Sequence, residues 1–134
     1  MGGKIKRTNA GDIMTSSVIT CDINEGVMNV CKTMAEKSVG SIIVIENDTP
    51  VGIITERDIV KAIGNNGEKF FNMKAKDIMS HPLFTAIPST DIEKLEKEMR
   101  RRKIKHVPII ASNRLVGIVT SRNIVEYLGK WRPE

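Results

Sequence analysis

Gly52-Ile-Ile-Thr55-Glu-Arg57-Asp58 returns 65 positions later as Gly117-Ile-Val-Thr120-Ser-Arg122-Asn123. The echo extends in both directions. Ala10–Gly64 and Ala75–Gly129 align at that offset without a gap. Matched pairs include Asp12/Asp77, Ile13/Ile78, Met14/Met79, Thr20/Thr85, Met34/Met99, Gly52/Gly117, Thr55/Thr120 and Arg57/Arg122. A period this long is one supersecondary unit, and a single repetition argues against a long solenoid. Two copies predict one pseudo-symmetric body with sites at or near its two-fold.

Each copy reads the same way. A short Asp-Ile-Met segment (Asp12–Met14, Asp77–Met79) precedes a brief β-type run, Val18-Ile19-Thr20 and then Leu83-Phe84-Thr85. Val27, Val30, Cys31 and Met34 then fall at helical spacing on one apolar stripe, as do Ile92, Leu95 and Met99. Asn24 and Ser89 stand ahead of these stripes as expected N-caps. Two strands follow, Ser41–Ile45 and Val51–Thr55, joined by Glu46–Pro50, which is turn chemistry. The copies are Val107–Ile110 and Leu115–Thr120, around Ser112-Asn113-Arg114. The strands are nearly all apolar, as in a sheet covered on both faces. A closing helix, Glu56–Ile63 or Ser121–Leu128, is expected to end at Gly64 or Gly129, glycine being suited to the left-handed position past a helix end. The fold class is therefore mixed α/β, with β-α-β-β-α written twice. Repeat one is 10–64 and repeat two is 75–129, with 65–74 as linker and Phe70 and Phe71 expected to pin it.

Size makes the repeats interdependent. The chain has 134 residues, enough for one domain, whereas either half alone buries too small a share of its surface for secure stability. No apolar run is long enough to cross a bilayer, and Met1–Arg7 is basic with no apolar stretch behind it. The segment is not a secretory signal, so a cytoplasmic protein is expected. The two cysteines, Cys21 and Cys31, have no counterparts in the second repeat (Ala86, Glu96) and read as small buried or half-buried thiols, with a metal or redox role as the alternative. His81 and His106 lie apart from cysteine or acidic partners at ligand spacing, so no metal motif is present. No P-loop, metal cluster or paired nucleophile and base points to an enzyme. The seven methionines include the repeated pairs at 14/79 and 34/99, which reads as core or interface. Trp131, in the tail Lys130–Glu134, is placed by nothing in the sequence.

The net charge of +5 gathers most densely at Arg100-Arg101-Arg102-Lys103 and Lys105. Glu93, Glu96 and Glu98 supply counter-charges at helical spacing, so the run reads as a solvated helix end. Phosphate attraction or nucleic-acid binding are the alternatives. Aromatic residues make up only 4% of the chain, which leaves a base-stacking platform poorly supplied.

The sharpest chemical signal is the repeated Gly-to-Asp/Asn segment. A strand ends at a hydroxyl residue and a helix begins there, where backbone N–H groups and the helix dipole favour phosphate. Three residues on, Asp58 offers a carboxylate that only accepts hydrogen bonds, suited to a ribose diol. Thr-x-x-Asp is equally a capping box, with Asp58 reaching back to its own helix start. Arg57 and Arg122 inside the motif are not required by a cap.

These segments, with Asp12-Ile-Met14 and Ile104-Lys-His-Val-Pro108-Ile-Ile, resemble the cystathionine β-synthase (CBS) motif. The whole of 10–129 resembles a stand-alone pair of such motifs, a Bateman module. The resemblance implies two β-α-β-β-α units packed through their sheets. It also implies a non-catalytic regulatory role, binding AMP, ADP, ATP or S-adenosylmethionine in two clefts between the repeats. Carried over by position, site one would use Thr55, Arg57 and Asp58 with Phe84, Thr85, Lys105, His106, Val107 and Pro108. Site two would use Thr120, Arg122 and Asn123 with Ile19, Thr20, Gly40, Ser41 and Ile43. Site two lacks the carboxylate, the cations and the proline of site one, so it is expected to bind more weakly or to prefer a less charged ligand. The implied partners are the adenine nucleotide, a second copy of the chain in a flat homodimer, and a regulated protein that the sequence does not name.

Overall fold

The structure, a computed structural model, describes residues 7–130. Trp131 with the rest of the tail, and most of the basic N-terminus, lie outside the described residues. In chain order the elements are α1 (Ala10–Ile13), β1 (Thr20–Asp22), α2 (Val27–Lys37), β2 (Ser41–Glu46) and β3 (Thr49–Thr55). There follow α3 (Glu56–Asn66), a 3-10 turn (Gly67–Asn72), α4 (Ala75–Ile78), α5 (Ile92–Arg102), β4 (His106–Ala111), β5 (Arg114–Thr120) and α6 (Ser121–Lys130). No described helix is long and apolar enough to cross a membrane.

The chain divides into two compact units that do not coincide with the repeats. One is contiguous, 18–84; the other is discontinuous, joining 7–17 to 85–130. Each Asp-Ile-Met segment therefore packs in the unit built mainly from the other repeat. The expected 65–74 linker is part of the contiguous unit, with Phe70 buried in its core. Phe71 is exposed and does not pin it.

In the contiguous unit β1 runs parallel to β2, and β2 is antiparallel to β3. The core joins Val27, Val30 and Met34 of α2 to Ile42 and Val44 of β2, Ile54 of β3, Phe70, Ala75 and Ile78. The apolar stripe of the sequence is thus the buried face of α2. Ile43, on the opposite side of β2 from Ile42 and Val44, is also fully buried, which accounts for the strand's unbroken apolar run. Each such side chain contributes about 1.5–3 kcal/mol on burial. The turn after β2 is tighter than the sequence suggested. Asn47 and Asp48 both have positive φ, 49° and 64°, the backbone of a two-residue hairpin that matches strand twist. Ser112 and Asn113 repeat it at 50° and 63°.

The discontinuous unit has a smaller sheet. β4 and β5 form its antiparallel ladder, and the expected strand Leu83–Thr85 is reduced to a single parallel bridge from Ala86 to Ile109. Two prolines explain the loss. In the contiguous unit Ile43 N–H donates to Ile19 O (3.0 Å) and Ile23 N–H donates to Ile45 O (2.9 Å). The repeat offset puts Pro108 and Pro88 at those two donor positions, and proline has no N–H. Only Ala86 N–H to Pro108 O (3.1 Å) and Ile110 N–H to Ala86 O (2.8 Å) remain.

Helix ends also depart from the reading of the sequence. The N-caps are Gly26 and Asp91 rather than Asn24 and Ser89. Asp91 accepts the Lys94 N–H at 3.2 Å, while the Asn24 N–H is turned to Asp22 Oδ2 at 2.8 Å. α3 continues through Gly64 and stops at Gly67, whose φ is 56°; α6 likewise continues through Gly129. A mid-helix glycine weakens a helix by about 1 kcal/mol without ending it.

The Asp-Ile-Met segments dock where a strand lacks a side chain. Ser80 N–H donates to Ile53 O (2.8 Å) and Ile53 N–H to Ser80 O (3.1 Å), which brings Met79 onto Gly52. Thr15 and Ile118 exchange the same two bonds, both 2.9 Å, and Met14 lies on Gly117. A Cβ at either glycine would collide with the methionine thioether and press on the Ser80 or Thr15 carbonyl oxygen at 3.1 Å. Gly52→Ala and Gly117→Ala are each expected to destabilise the protein by about 1–3 kcal/mol, the usual overpacking penalty, in urea titrations. Gly64→Ala meets no atom within 4 Å and should be neutral or stabilising. Equal effects at all three positions would contradict the docking account.

Candidate functional site

Each unit presents a strand-to-helix junction carrying the repeated motif. At the end of β3, Thr55 caps α3. Thr55 Oγ1 accepts the Asp58 N–H (3.2 Å), and Asp58 Oδ2 accepts both the Thr55 N–H (2.9 Å) and the Thr55 hydroxyl (3.0 Å). The capping reading of Thr-x-x-Asp is therefore the geometry observed. Asp58 Oδ1 accepts a further bond, from the Ser80 hydroxyl at 2.7 Å. At the end of β5 the pattern returns. Thr120 Oγ1 accepts the Asn123 N–H (3.1 Å), and Asn123 Oδ1 accepts the Thr120 N–H (2.9 Å) and hydroxyl (3.1 Å). Asn123 Nδ2 donates to Thr15 Oγ1 at 3.3 Å.

The first-turn donors are less available to an anion than the sequence suggested. Glu56 N–H donates to Gly40 O (3.3 Å) and Ser121 N–H to Lys105 O (3.0 Å), while the Asp58 and Asn123 N–H groups serve the caps. Glu56 also places a second carboxylate in the first turn of α3. Arg122 forms an exposed i,i+4 pair with Glu126 at 3.2 Å, a structural use for the motif arginine. Arg57 is exposed.

The remaining expected residues fall as follows. In the contiguous unit Ile19 is half-buried and Thr20 exposed. Thr20 pairs with Ile43, and Ser41 pairs with Thr55. Gly40 and Ser41 thus lie beside Thr55 and the start of α3, and Ser41 is the buried polar residue there. Phe84 is half-buried at the end of this unit. In the discontinuous unit His106 pairs with Thr120, so Lys105 and His106 adjoin the Thr120 junction. Lys105 and Thr85 are exposed, His106 is half-buried, and Val107 and Pro108 are fully buried packing residues. Within each unit the structure therefore juxtaposes members of both expected sets.

Ser80 and Thr15 were not anticipated. Both follow the Asp-Ile-Met segment, and both put a hydroxyl on the motif's Asp or Asn. The repeat did carry a signal, since positions 15 and 80 are both hydroxyl residues at the common offset.

The basic run behaves as a helix end. Arg100 pairs with Glu96 (2.6 Å), and Arg101 and Arg102 pair with Glu98 (2.8 and 3.1 Å). Those arginine hydrogen bonds hold the Glu98 carboxyl at about 2. Three of the cations therefore already have counter-charges, which weakens the nucleic-acid alternative. Among the described residues no group of three or more His, Cys, Asp or Glu is placed to hold a metal ion.

Comparison with known proteins defines the class. The CBS domain model matches twice, over 10–65 and 75–130, and the chain belongs to that family. An uncharacterized protein of Methanopyrus kandleri is 32% identical over 124 residues; the match covers 91% of this chain and 63% of that protein, less than two thirds of its length. Among solved structures, the CBS domain pair of protein MJ0100 in complex with 5′-methylthioadenosine and S-adenosyl-L-methionine is 28% identical, with a TM-score of 0.83. The match covers 91% of this chain and all of that one (100%). A hexameric CBS-CP12 protein from bloom-forming cyanobacteria is 27% identical with a TM-score of 0.83, covering 95% of this chain and 73% of that one.

Both cysteines are free and half-buried, as the sequence reading held. Burial, then the nearby Glu25 and Asp22 carboxylates, pushes the Cys21 thiol up from 9.0 to about 11; burial also raises Cys31. The thiolate reacts and forms only as pH approaches the raised value. Alkylation of Cys21 at pH 8 should be about 100-fold slower than that of an unperturbed thiol, tenfold for each pH unit. Its rate should keep climbing until pH passes 11. A plateau near pH 9 in a mass-spectrometric rate profile would refute this.

Proposed function

We propose that this chain is a non-catalytic regulatory module that binds an adenosine-containing ligand. The observation that carries the proposal is its likeness to a CBS pair whose structure holds 5′-methylthioadenosine and S-adenosyl-L-methionine. The repeated junctions support it, because each holds a hydrogen-bonding side chain, Asp58 or Asn123, at a fixed place in the first turn of a helix. The residues proposed for the tighter site are Thr55, Arg57 and Asp58 with Phe84, Thr85, Lys105, His106, Val107 and Pro108. The carboxylate suits a ribose, and Lys105 and His106 suit phosphate. The weaker set is Thr120, Arg122 and Asn123 with Ile19, Thr20, Gly40, Ser41 and Ile43. Ligand shifts the protein among its arrangements only by its differential affinity for them; the protein that reads this shift is a separate partner.

A thermal-shift panel of AMP, ADP, ATP, NAD, S-adenosylmethionine and 5′-methylthioadenosine tests the reading. A ligand at about 100 times its Kd adds about 2.7 kcal/mol, which raises the Tm by a few degrees in a chain of this size. Asp58→Ala should diminish the shift produced by the best ligand. No shift with any of the six would defeat the proposal.

We further propose a homodimer formed through helical faces. Val60 and Ile63 on α3 are 68% and 48% exposed, and Val125 and Leu128 on α6 are 65% and 60% exposed. Large exposed apolar side chains grouped on one helix mark interaction surfaces, and the hexameric CBS-CP12 relative is an assembly. Light scattering at micromolar concentration should give the dimer mass, and Val60→Glu with Val125→Glu should give the monomer with its helical circular dichroism intact. A wild-type monomer would overturn this assignment.

A further inference from the structure

The homodimer proposed above does not say which helix meets which. α3 and α6 present the same apolar pattern, because Val60, Ile63 and Gly64 recur at the repeat offset as Val125, Leu128 and Gly129, all six exposed. Apolar content therefore favours no pairing. A two-fold dimer has two choices. Each helix packs on its own counterpart, or α3 of each copy packs on α6 of the other, a contact then made twice. Charge is left to decide, since like charges set against each other cost affinity and unlike charges fix register.

The rims of the two helices differ in sign at one position. Both carry an exposed arginine, Arg57 or Arg122, but the residue four further on is Lys61 in α3 and Glu126 in α6. Arg122 and Glu126 pair at 3.2 Å. Arg57 and Lys61 are cations at a spacing where like charges repel, and neither has an ion pair among the described residues. Packed on its own counterpart, α3 would gather four cations at one contact. Packed on α6, it meets a glutamate instead, and a carboxylate can accept from more than one cation.

The two units oppose each other in charge as well. Residues 7–17 with 85–130, which include α6, hold eleven Lys and Arg against six Asp and Glu, a net +5. Residues 18–84, which include α3, hold seven against nine, a net −2. Screening limits exposed charges to about 8 Å at physiological ionic strength. The rim residues therefore carry most of the preference, and the unit charges add to it at low salt.

We propose that two copies of this chain dock in a crossed sense: α3 of one packs on α6 of the other, and the opposite charges of Lys61 and Glu126 select that pairing. The inference rests on the homodimer reading and specifies how the copies are matched.

Cross-linking tests the pairing directly. Chains without native thiols (Cys21→Ala, Cys31→Ala) receive one new cysteine, Val60→Cys or Val125→Cys. Each is treated with a short bismaleimide, alone and after the two have exchanged subunits. Crossed docking should give covalent dimer from the mixture and little from either variant alone. As much covalent dimer from either variant alone as from the mixture overturns this inference and leaves the homodimer standing. Charge exchange gives a second readout without new thiols. Lys61→Glu and Glu126→Lys should each raise the dimer Kd by about three- to tenfold, as for an exposed ion pair made twice, and the double exchange should restore it. Under like pairing Lys61→Glu would tighten the dimer, by neutralising the facing cations, and that result also overturns the inference. A monomer by light scattering, or a dimer in which no thiol combination links, overturns the helical-face homodimer and this inference together.

Discussion

A methionine resting on a strand position that has no side chain organises both units. Met79 on Gly52 and Met14 on Gly117 are the contacts at which a short helical segment joins a sheet it does not follow directly in sequence. The glycine is required there for close approach rather than for an unusual φ. The docking fixes more than packing. The next residue, Ser80 or Thr15, bridges the strand through its backbone and carries its hydroxyl to the first turn of α3 or α6. Local sequence, packing and junction chemistry thus meet in two consecutive positions, Met79-Ser80 or Met14-Thr15.

This arrangement unites two readings of the Thr-x-x-Asp segment that looked like rivals in the sequence. The side chain at position 58 does cap its helix, and the cap is what orients it. One oxygen is held by Thr55, so the other has a defined direction, and Ser80 marks that direction. Capping is the physical basis on which a sugar-binding role can rest. The arginines carry less weight than the motif suggested, since Arg122 is paired along its own helix.

Much of the fold was legible because it is local. Strand order, the buried stripe of α2 and α5, and the hairpins follow from periodicity and turn residues. What escaped the sequence has identifiable causes. The Asp-Ile-Met segments are near-identical, so nothing local says which copy completes which unit. The lost strand before Ala86 comes from two prolines that are 20 residues apart in the chain but remove the two ends of one ladder. The helices run past Gly64 and Gly129 because glycine permits a helix end without imposing one. At the junctions, the motif residues were visible and their hydroxyl partners were not, since Ser80 lies 22 residues from Asp58 and Thr15 lies 108 from Asn123.

Those last two separations carry an entropic consequence. Closing a flexible loop becomes more unfavourable with the logarithm of its length, so the Thr15–Asn123 contact is about 1.4 kcal/mol harder to form from an open chain than the Ser80–Asp58 contact. Prior ordering of 18–84 would lower that difference, because fewer free residues then remain in the loop that the discontinuous unit must close. The half of the molecule that is continuous in sequence is in this sense the template for the half that is not.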